Sequence, residues 1–270
     1  MDYVSTPQLV IAFVGIFAIS WVFSIFGRGG GEFKLPLLLS IVALPFTDIK
    51  IVSVFLILVQ GVVMMLVYSK KHRLTDWPVA AFLAGVVGVA SFMGGYFSYL
   101  VPPVYLKGLF AAVLLVSAVK MGLGKGTPAG RARFGVWHRM LPGNAAQEYD
   151  VNFAYLVVPI LLVGFIAGML GISGCGLIIP LCIVLGGMPI RIAIGTNTLL
   201  LITSTASSFT GHVIKGTFRW ELALILAVAA VVGAFLGSRQ HTTISERNIK
   251  RGFILILVIA AIWMVIKMFK

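Results

Sequence analysis

Apolar residues run along this chain in long blocks, at 7–26, 35–46, 49–68, 78–100, 104–122, 153–170, 177–188, 189–214, 219–238 and 248–268. Most come near the roughly 20 residues that a membrane-crossing helix requires, so the pattern predicts spanning helices. Blocks 35–46 and 177–188 are too short to cross alone. Each follows a cluster of glycines: Gly27-Arg28-Gly29-Gly30-Gly31 precedes Pro36, and Gly171-Ile172-Ser173-Gly174-Cys175-Gly176 precedes Pro180. Hydrocarbon offers no partner to a free N–H or C=O. Non-helical backbone therefore survives at membrane depth only where protein buries it or where it lines a polar cavity. Interruptions at matching places in two halves are the sequence mark of a transporter's binding site.

Composition agrees. Hydrophobic residues make up 60% of the chain and charged residues 11%, against about a quarter charged in soluble domains. The net charge of +13 does not indicate a nucleic-acid ligand, because Lys and Arg lie at helix ends and in loops rather than along one face. Lys70, Lys71 and Arg73 share one loop. Lys120, Lys125, Arg131, Arg133 and Arg139 lie in or beside the central one, and Arg239, Arg247, Lys250 and Arg251 in a third. The positive-inside rule places all three in the cytoplasm. Asp2 and the lack of Lys or Arg before Arg28 do not fit a signal peptide, so the first helix is expected to be retained. Residues 7–46 then begin and end outside as a hairpin, and the second half starts inside at 153. The expected placement is a multi-pass protein of the inner membrane with both termini outside.

The chain also aligns on itself. At an offset of 144, Gly27 meets Gly171, Gly30 meets Gly174, Pro36 and Leu37 meet Pro180 and Leu181, Pro45 meets Pro189, and Gly108 meets Gly252. At 143, Trp77, Ala84, Phe92 and Gly94 meet Trp220, Ala227, Phe235 and Gly237. The fold expected is an all-α polytopic membrane protein of two inverted repeats, 1–122 and 153–270. Each has a broken or re-entrant helical hairpin followed by three spanning helices. Residues 123–152 read as a basic cytoplasmic linker, rich in Gly and Pro, without periodicity. Within it Trp137 and Met140 predict a short interfacial helix, with Arg131, Arg133, His138 and Arg139 resting on anionic headgroups.

At the breaks the chemistry is that of the backbone. The first N–H groups of each short arm have no intrahelical acceptor, and two such N-termini aimed inward can hold a small oxyanion. Close helix packing is the alternative use of the glycines. Candidate binding residues are Gly29, Gly30, Gly31, Lys34 and Pro36 in the first half, and Ser173, Gly174, Cys175, Gly176 and Pro180 in the second. Thr196 and Asn197 join them from the hydroxyl-rich span 189–214. Arg28, Glu32 and Lys34 are candidates because charge beside a membrane break is costly unless paired or hydrated. An Arg28–Glu32 pair at the cytoplasmic mouth is the structural alternative. His212, near the outer end of its helix, is either a proton-coupling group or a hydrated interfacial one. Cys175 and Cys182, two turns apart on a helix, lie about 10.5 Å apart along the axis and cannot form a disulfide. Both read as buried small residues, with Cys175 also placed to touch a sulfur-containing substrate. No metal or cofactor is expected.

The second-half pattern Gly171-x-x-Gly174-x-Gly176-x-x-x-Pro180, Pro189, Ala193-x-Gly195-Thr196-Asn197 and Gly211-His212 resembles the signature of the sulfite exporter TauE/SafE family of membrane anion transporters. Gly27-x-Gly29-Gly30-Gly31-x-x-x-x-Pro36 resembles that family's leading motif. The resemblance implies export or import of a small sulfur-containing or carboxylate anion, without cofactor. The chain departs from the family at Glu32 and Lys34, where members carry neutral residues, and Ile51-Val52-Ser53 is no clear copy of the later triplet. Two other readings stand beside this one. Gly171-Ile172-Ser173-Gly174 also reads as the GxSG of a rhomboid-like serine protease with His212 as base, and a non-transporting assembly scaffold fits the composition. The partners expected are a small anion, membrane lipid and no nucleic acid, with homo-oligomerisation left open.

Overall fold

The computed structural model describes residues 4–71, 74–98, 135–141, 147–170, 174–214 and 216–266, with positions 112, 115, 118 and 119. The predicted span 104–122 falls almost wholly outside them. Helices α1 (Thr6–Ile25), α2 (Gly31–Ile41), α3 (Phe46–Leu66) and α4 (Trp77–Tyr96) precede a two-stranded hairpin, β1 (Val136–Leu141) and β2 (Gln147–Asn152). Helices α5 (Phe153–Leu170), α6 (Cys175–Val184), α7 (Ile190–Val213), α8 (Trp220–Gln240) and α9 (Glu246–Ile266) follow. Among the described residues six helices are long and apolar enough to cross a membrane: α1, α3 with its π-helical extension to Lys70, α4, α5, α7 and α8.

The two short arms appear where the glycines and prolines placed them. Helix α2 has 11 residues and α6 has 10, so each rises about 15 Å, half the hydrocarbon thickness. Gly30 caps α2 with φ +67°, a left-handed conformation that side chains resist. Each arm ends before a proline that caps the next helix in almost the same conformation, Pro45 at φ −56°, ψ 146° and Pro189 at φ −57°, ψ 141°.

Packing pairs follow a rule. Helix α1 packs on α8 and α5 on α4; α3 packs on α8 and α7 on α4; α2 lies on α1 and α3, and α6 on α5 and α7. Helices α3 and α7 pack on each other. Exchanging α1–α4 for α5–α8 leaves these pairings unchanged. The tightest approaches obey the same exchange. A Cβ on Gly94 would collide with the carbonyl oxygen of Phe165, and one on Gly237 with that of Trp21. Gly94 aligns with Gly237 and Trp21 with Phe165.

The interfacial helix expected around Trp137 and Met140 is not formed. Residues 136–152 instead make an antiparallel hairpin with Trp137 opposite Val151 and Arg139 opposite Tyr149. In β2, Tyr149 and Val151 turn inward while Glu148 and Asp150 face outward, the two-residue alternation of a half-buried strand. Aromatic packing fixes the hairpin to the bundle. Trp137 stacks edge-on against Phe153 at 4.7 Å, and Phe153 against Phe82 of α4 at 4.9 Å.

Candidate functional site

The turn after α1 carries the first break into the interior. Arg28, Glu32, Lys34 and Gln60 are all buried. Arg28 Nη2 donates to Glu32 Oε1 across one turn, and the guanidinium lies 5.7 Å from the Phe23 ring centroid and 5.3 Å from that of Phe253, where ring faces attract a cation. The pair is enclosed by protein. Lys34 Nζ donates to Gln60 Oε1. The Gln60 amide donates in turn to Ser24 Oγ at 2.8 Å and to the Arg28 carbonyl at 3.1 Å. Tyr68 closes the cluster by donating to the Ser24 carbonyl at 2.6 Å.

The second break comes to the same place. A Cβ on Gly176, in the first turn of α6, would strike Arg28 Nη2 and lie 2.8 Å from Glu32 Oε1, so the ion pair rests on bare backbone. From α7, Asn197 Nδ2 donates to the Gly27 carbonyl at 3.1 Å, and a Cβ on Gly27 would meet Ile194 Cγ2 at 2.5 Å. Four buried polar atoms here have no partner among the described residues: Arg28 Nε and Nη1, Glu32 Oε2 and Asn197 Oδ1. Unpaired buried donors and acceptors cost about 1–3 kcal/mol each, so a cluster of them marks a place built for a ligand or a second arrangement.

The structure brings Lys34, Gly176 and Asn197 to this cluster, with Gly30 and Gly31 opening the arm that carries it. Pro36 and Pro180 lie inside the arms, where each leaves the carbonyl four residues back, of Glu32 and of Gly176, without its helical donor. Gly174 caps α6 against Val163 and Ala167 of α5, away from the ion pair. Gly29 lies in the turn between Arg28 and the arm. Ser173 lies outside the described residues, as does the Cys175 side chain, while Cys182 is buried as a free thiol. Thr196 is committed elsewhere, its Oγ1 accepting from Asp76 N at 3.1 Å. His212 is drawn into the protein rather than left at the surface. It is buried, with Nε2 3.1 Å from the Gly168 carbonyl.

A second polar centre lies at the other end of Thr196. Asp76 caps α4 and receives Arg139 Nε at 2.9 Å, Arg139 Nη2 at 2.8 Å and the Tyr149 hydroxyl at 2.6 Å. Both strands of the hairpin therefore grip one carboxylate. Burial pushes the Asp76 carboxyl up, but the bonds from Arg139 and Tyr149 outweigh it and hold it below the ordinary carboxylate value. Burial and the Asp76 bond raise the Tyr149 phenol, which stays a donor throughout the neutral range. A depressed carboxylate stabilises the fold above its unfolded pKa and loses that contribution as pH falls through the folded value. Melting temperature in detergent is therefore expected to be flat from neutral pH down to about pH 5 and to fall below about pH 4. Asp76→Asn removes that part of the acid sensitivity and costs about 3 kcal/mol at pH 7, by stranding Arg139. An unchanged acid limb in Asp76→Asn contradicts this assignment.

Sequence reasoning missed Gln60, Asp76, Arg139 as a ligand of Asp76, and Tyr149. Gln60 did leave a signal, as the one amide in the block 49–68, where it needs partners.

The sequence profile of the sulfite exporter TauE/SafE family matches residues 11–264. The chain belongs to that family. A probable membrane transporter protein of Bacillus subtilis, YunE, is 26% identical over 264 residues, 94% of each chain. A probable membrane transporter protein of Xylella fastidiosa strain Temecula1 is 40% identical over 78 residues, 28% of this chain and 30% of its own. The Bacillus subtilis probable membrane transporter protein YdhB is 30% identical over 84 residues, 31% and 34% of the two chains. No solved structure matches the chain significantly. The family and its relatives make the protein a membrane transporter, with six apolar helices to match.

Proposed function

We propose that the protein is a secondary transporter, working as an exporter, of a small anion such as sulfite or a related organosulfur or carboxylate anion. One observation carries the reading. Both breaks converge on the buried Arg28–Glu32 pair, Lys34 lies buried on the same arm, and among the described residues of this cluster Glu32 is the one acid opposite two cations. Two enclosed cations against one carboxylate favour an added negative charge. Helix N-termini from both arms bring their partial positive charge to the same point.

Alternating access follows from the packing rule. Pairings that survive exchange of α1–α4 for α5–α8 support two repeats, 1–122 and 153–270, joined by 123–152, rocking about an anion held near mid-membrane. Glu32 aligns with Gly176 at the offset of 144 and faces it directly. Self-matched positions in contact lie where a two-fold axis passes, which puts the ion pair at the centre of the motion. The basic loops, read by the positive-inside rule, support an inner-membrane orientation with the termini outside.

Thermal unfolding of the purified protein, screened against sulfite, sulfate, thiosulfate, sulfoacetate and simple carboxylates, tests the site. An anion at 100 times its Kd contributes about 2.7 kcal/mol, a rise of about 5 °C or more for a chain this size. That same anion is expected to exchange across proteoliposomes. A panel without any shift, together with inert proteoliposomes, rejects the reading in favour of the assembly scaffold.

A further inference from the structure

We infer that Glu32 is an internal substitute for the transported anion, and that anion binding drives a proton onto it. The inference rests on the anion site proposed above. Arg28 presents a buried guanidinium whose Nη2 is held by Glu32 Oε1, while Nε and Nη1 are unpaired among the described residues. Glu32 Oε2 is buried and unpaired as well. One carboxylate oxygen thus fills one of three guanidinium positions, the occupancy of a placeholder rather than of a two-pronged salt bridge.

Lys34 shares the arm with Glu32, six residues after Arg28, and its partner Gln60 is neutral. The charged groups facing Glu32 among the described residues are Arg28, from the turn, and Lys34, from its own helix. Helix α3 contributes neutral Gln60, α6 the bare backbone of Gly176, α7 the neutral Asn197 on Gly27, and α9 the Phe253 ring. Tyr68 and His241 bond the carbonyls of Ser24 and Ile25 on the turn's other flank.

An oxyanion entering this enclosure takes the guanidinium by two parallel N–H···O bonds, and the Arg28–Glu32 bond breaks. The displaced carboxylate, enclosed beside a second anion, then takes one proton from hydronium in the bulk solution on the side from which the substrate enters. Charge balances: a dianion plus one proton meets Arg28 and Lys34, and Glu32 is neutral. On release the proton leaves Glu32, which returns to Arg28. One proton therefore moves with each dianion, and oxyanions of two negative charges are preferred over single ones.

Sulfate and thiosulfate stay doubly charged between pH 5.5 and 8, so any pH dependence of their binding belongs to the protein. For the wild-type chain, affinity for these two, read by thermal shift, is expected to rise about tenfold for each unit that pH falls. In proteoliposomes loaded with a pH-sensitive dye, anion entry is expected to carry protons in near one-to-one ratio. Glu32→Gln flattens the pH dependence of anion binding and loses the proton flux. A flat wild-type affinity overturns the inference whether or not the variant folds, and so does proton flux surviving in Glu32→Gln. No response of the wild-type chain to any anion of the full panel, carboxylates included, instead removes the anion site itself.

Discussion

Lys34→Met is expected to abolish anion transport while leaving the protein as stable as before. Lys34 is enclosed, its ammonium held by one neutral amide, and Met fills nearly the same volume without charge. Burying an ion is itself costly, so an apolar replacement of similar size is often neutral or stabilising. The loss of a donor to Gln60 works against that gain, and melting temperature should stay within about 3 °C of wild type. Transport loses a charge-assisted hydrogen bond to substrate, about 3 kcal/mol or a hundredfold in rate at limiting anion. Flux in proteoliposomes and unfolding in detergent, measured on the same preparation, separate the two effects. Transport at the wild-type level in Lys34→Met removes the lysine from the site.

The second large effect is on stability and comes as a matched pair. Gly94→Ala and Gly237→Ala each push a methyl into the backbone of a neighbouring helix, at Phe165 and Met169 in one case and at Trp21 in the other. Overpacking of this kind costs about 1–3 kcal/mol, and a carbonyl oxygen cannot turn aside as a side chain can. Each change is expected to lower the melting temperature by about 5 °C or more. Gly85, on the same helix as Gly94, has nothing within 4 Å of a built Cβ. Gly85→Ala should therefore stabilise α4 by up to about 1 kcal/mol. If Gly94→Ala and Gly237→Ala prove as harmless as Gly85→Ala, the close approach of α4 to α5 and of α8 to α1 is wrong.

These glycines show what the chain disclosed before any coordinates. The arms, their glycine clusters and the proline caps at 45 and 189 were legible because membrane-depth backbone punishes irregularity, so a break must be written in residues that permit it. Gly176 was legible as a candidate, but its reason was not. It is bare because Arg28, distant in sequence, lies on it, and no local pattern reports such an approach. The hairpin was hidden for another reason. Its alternation, Tyr149 and Val151 inward against Glu148 and Asp150, spans one short strand between Gly- and Pro-rich stretches, and its arginines suggested headgroups. Arg139 in fact reaches a carboxylate 63 positions earlier. Asp76 caps α4 as well, and nothing local to it marks the distant arginine.

The cluster is lopsided in a way that bears on how such a protein diversifies. Both cations and the carboxylate belong to the earlier break, Arg28 in its turn and Glu32 and Lys34 on its arm, whereas the later arm offers Gly176, Ile178 and peptide groups. On the two-repeat reading proposed above, the copies have divided their labour. One has become the editable face, where a change of one or two side chains retunes ligand preference, and the other is a featureless wall whose value lies in staying empty. On that reading, altering Arg28, Glu32 and Lys34 at a single break changes the cargo and leaves the other break untouched.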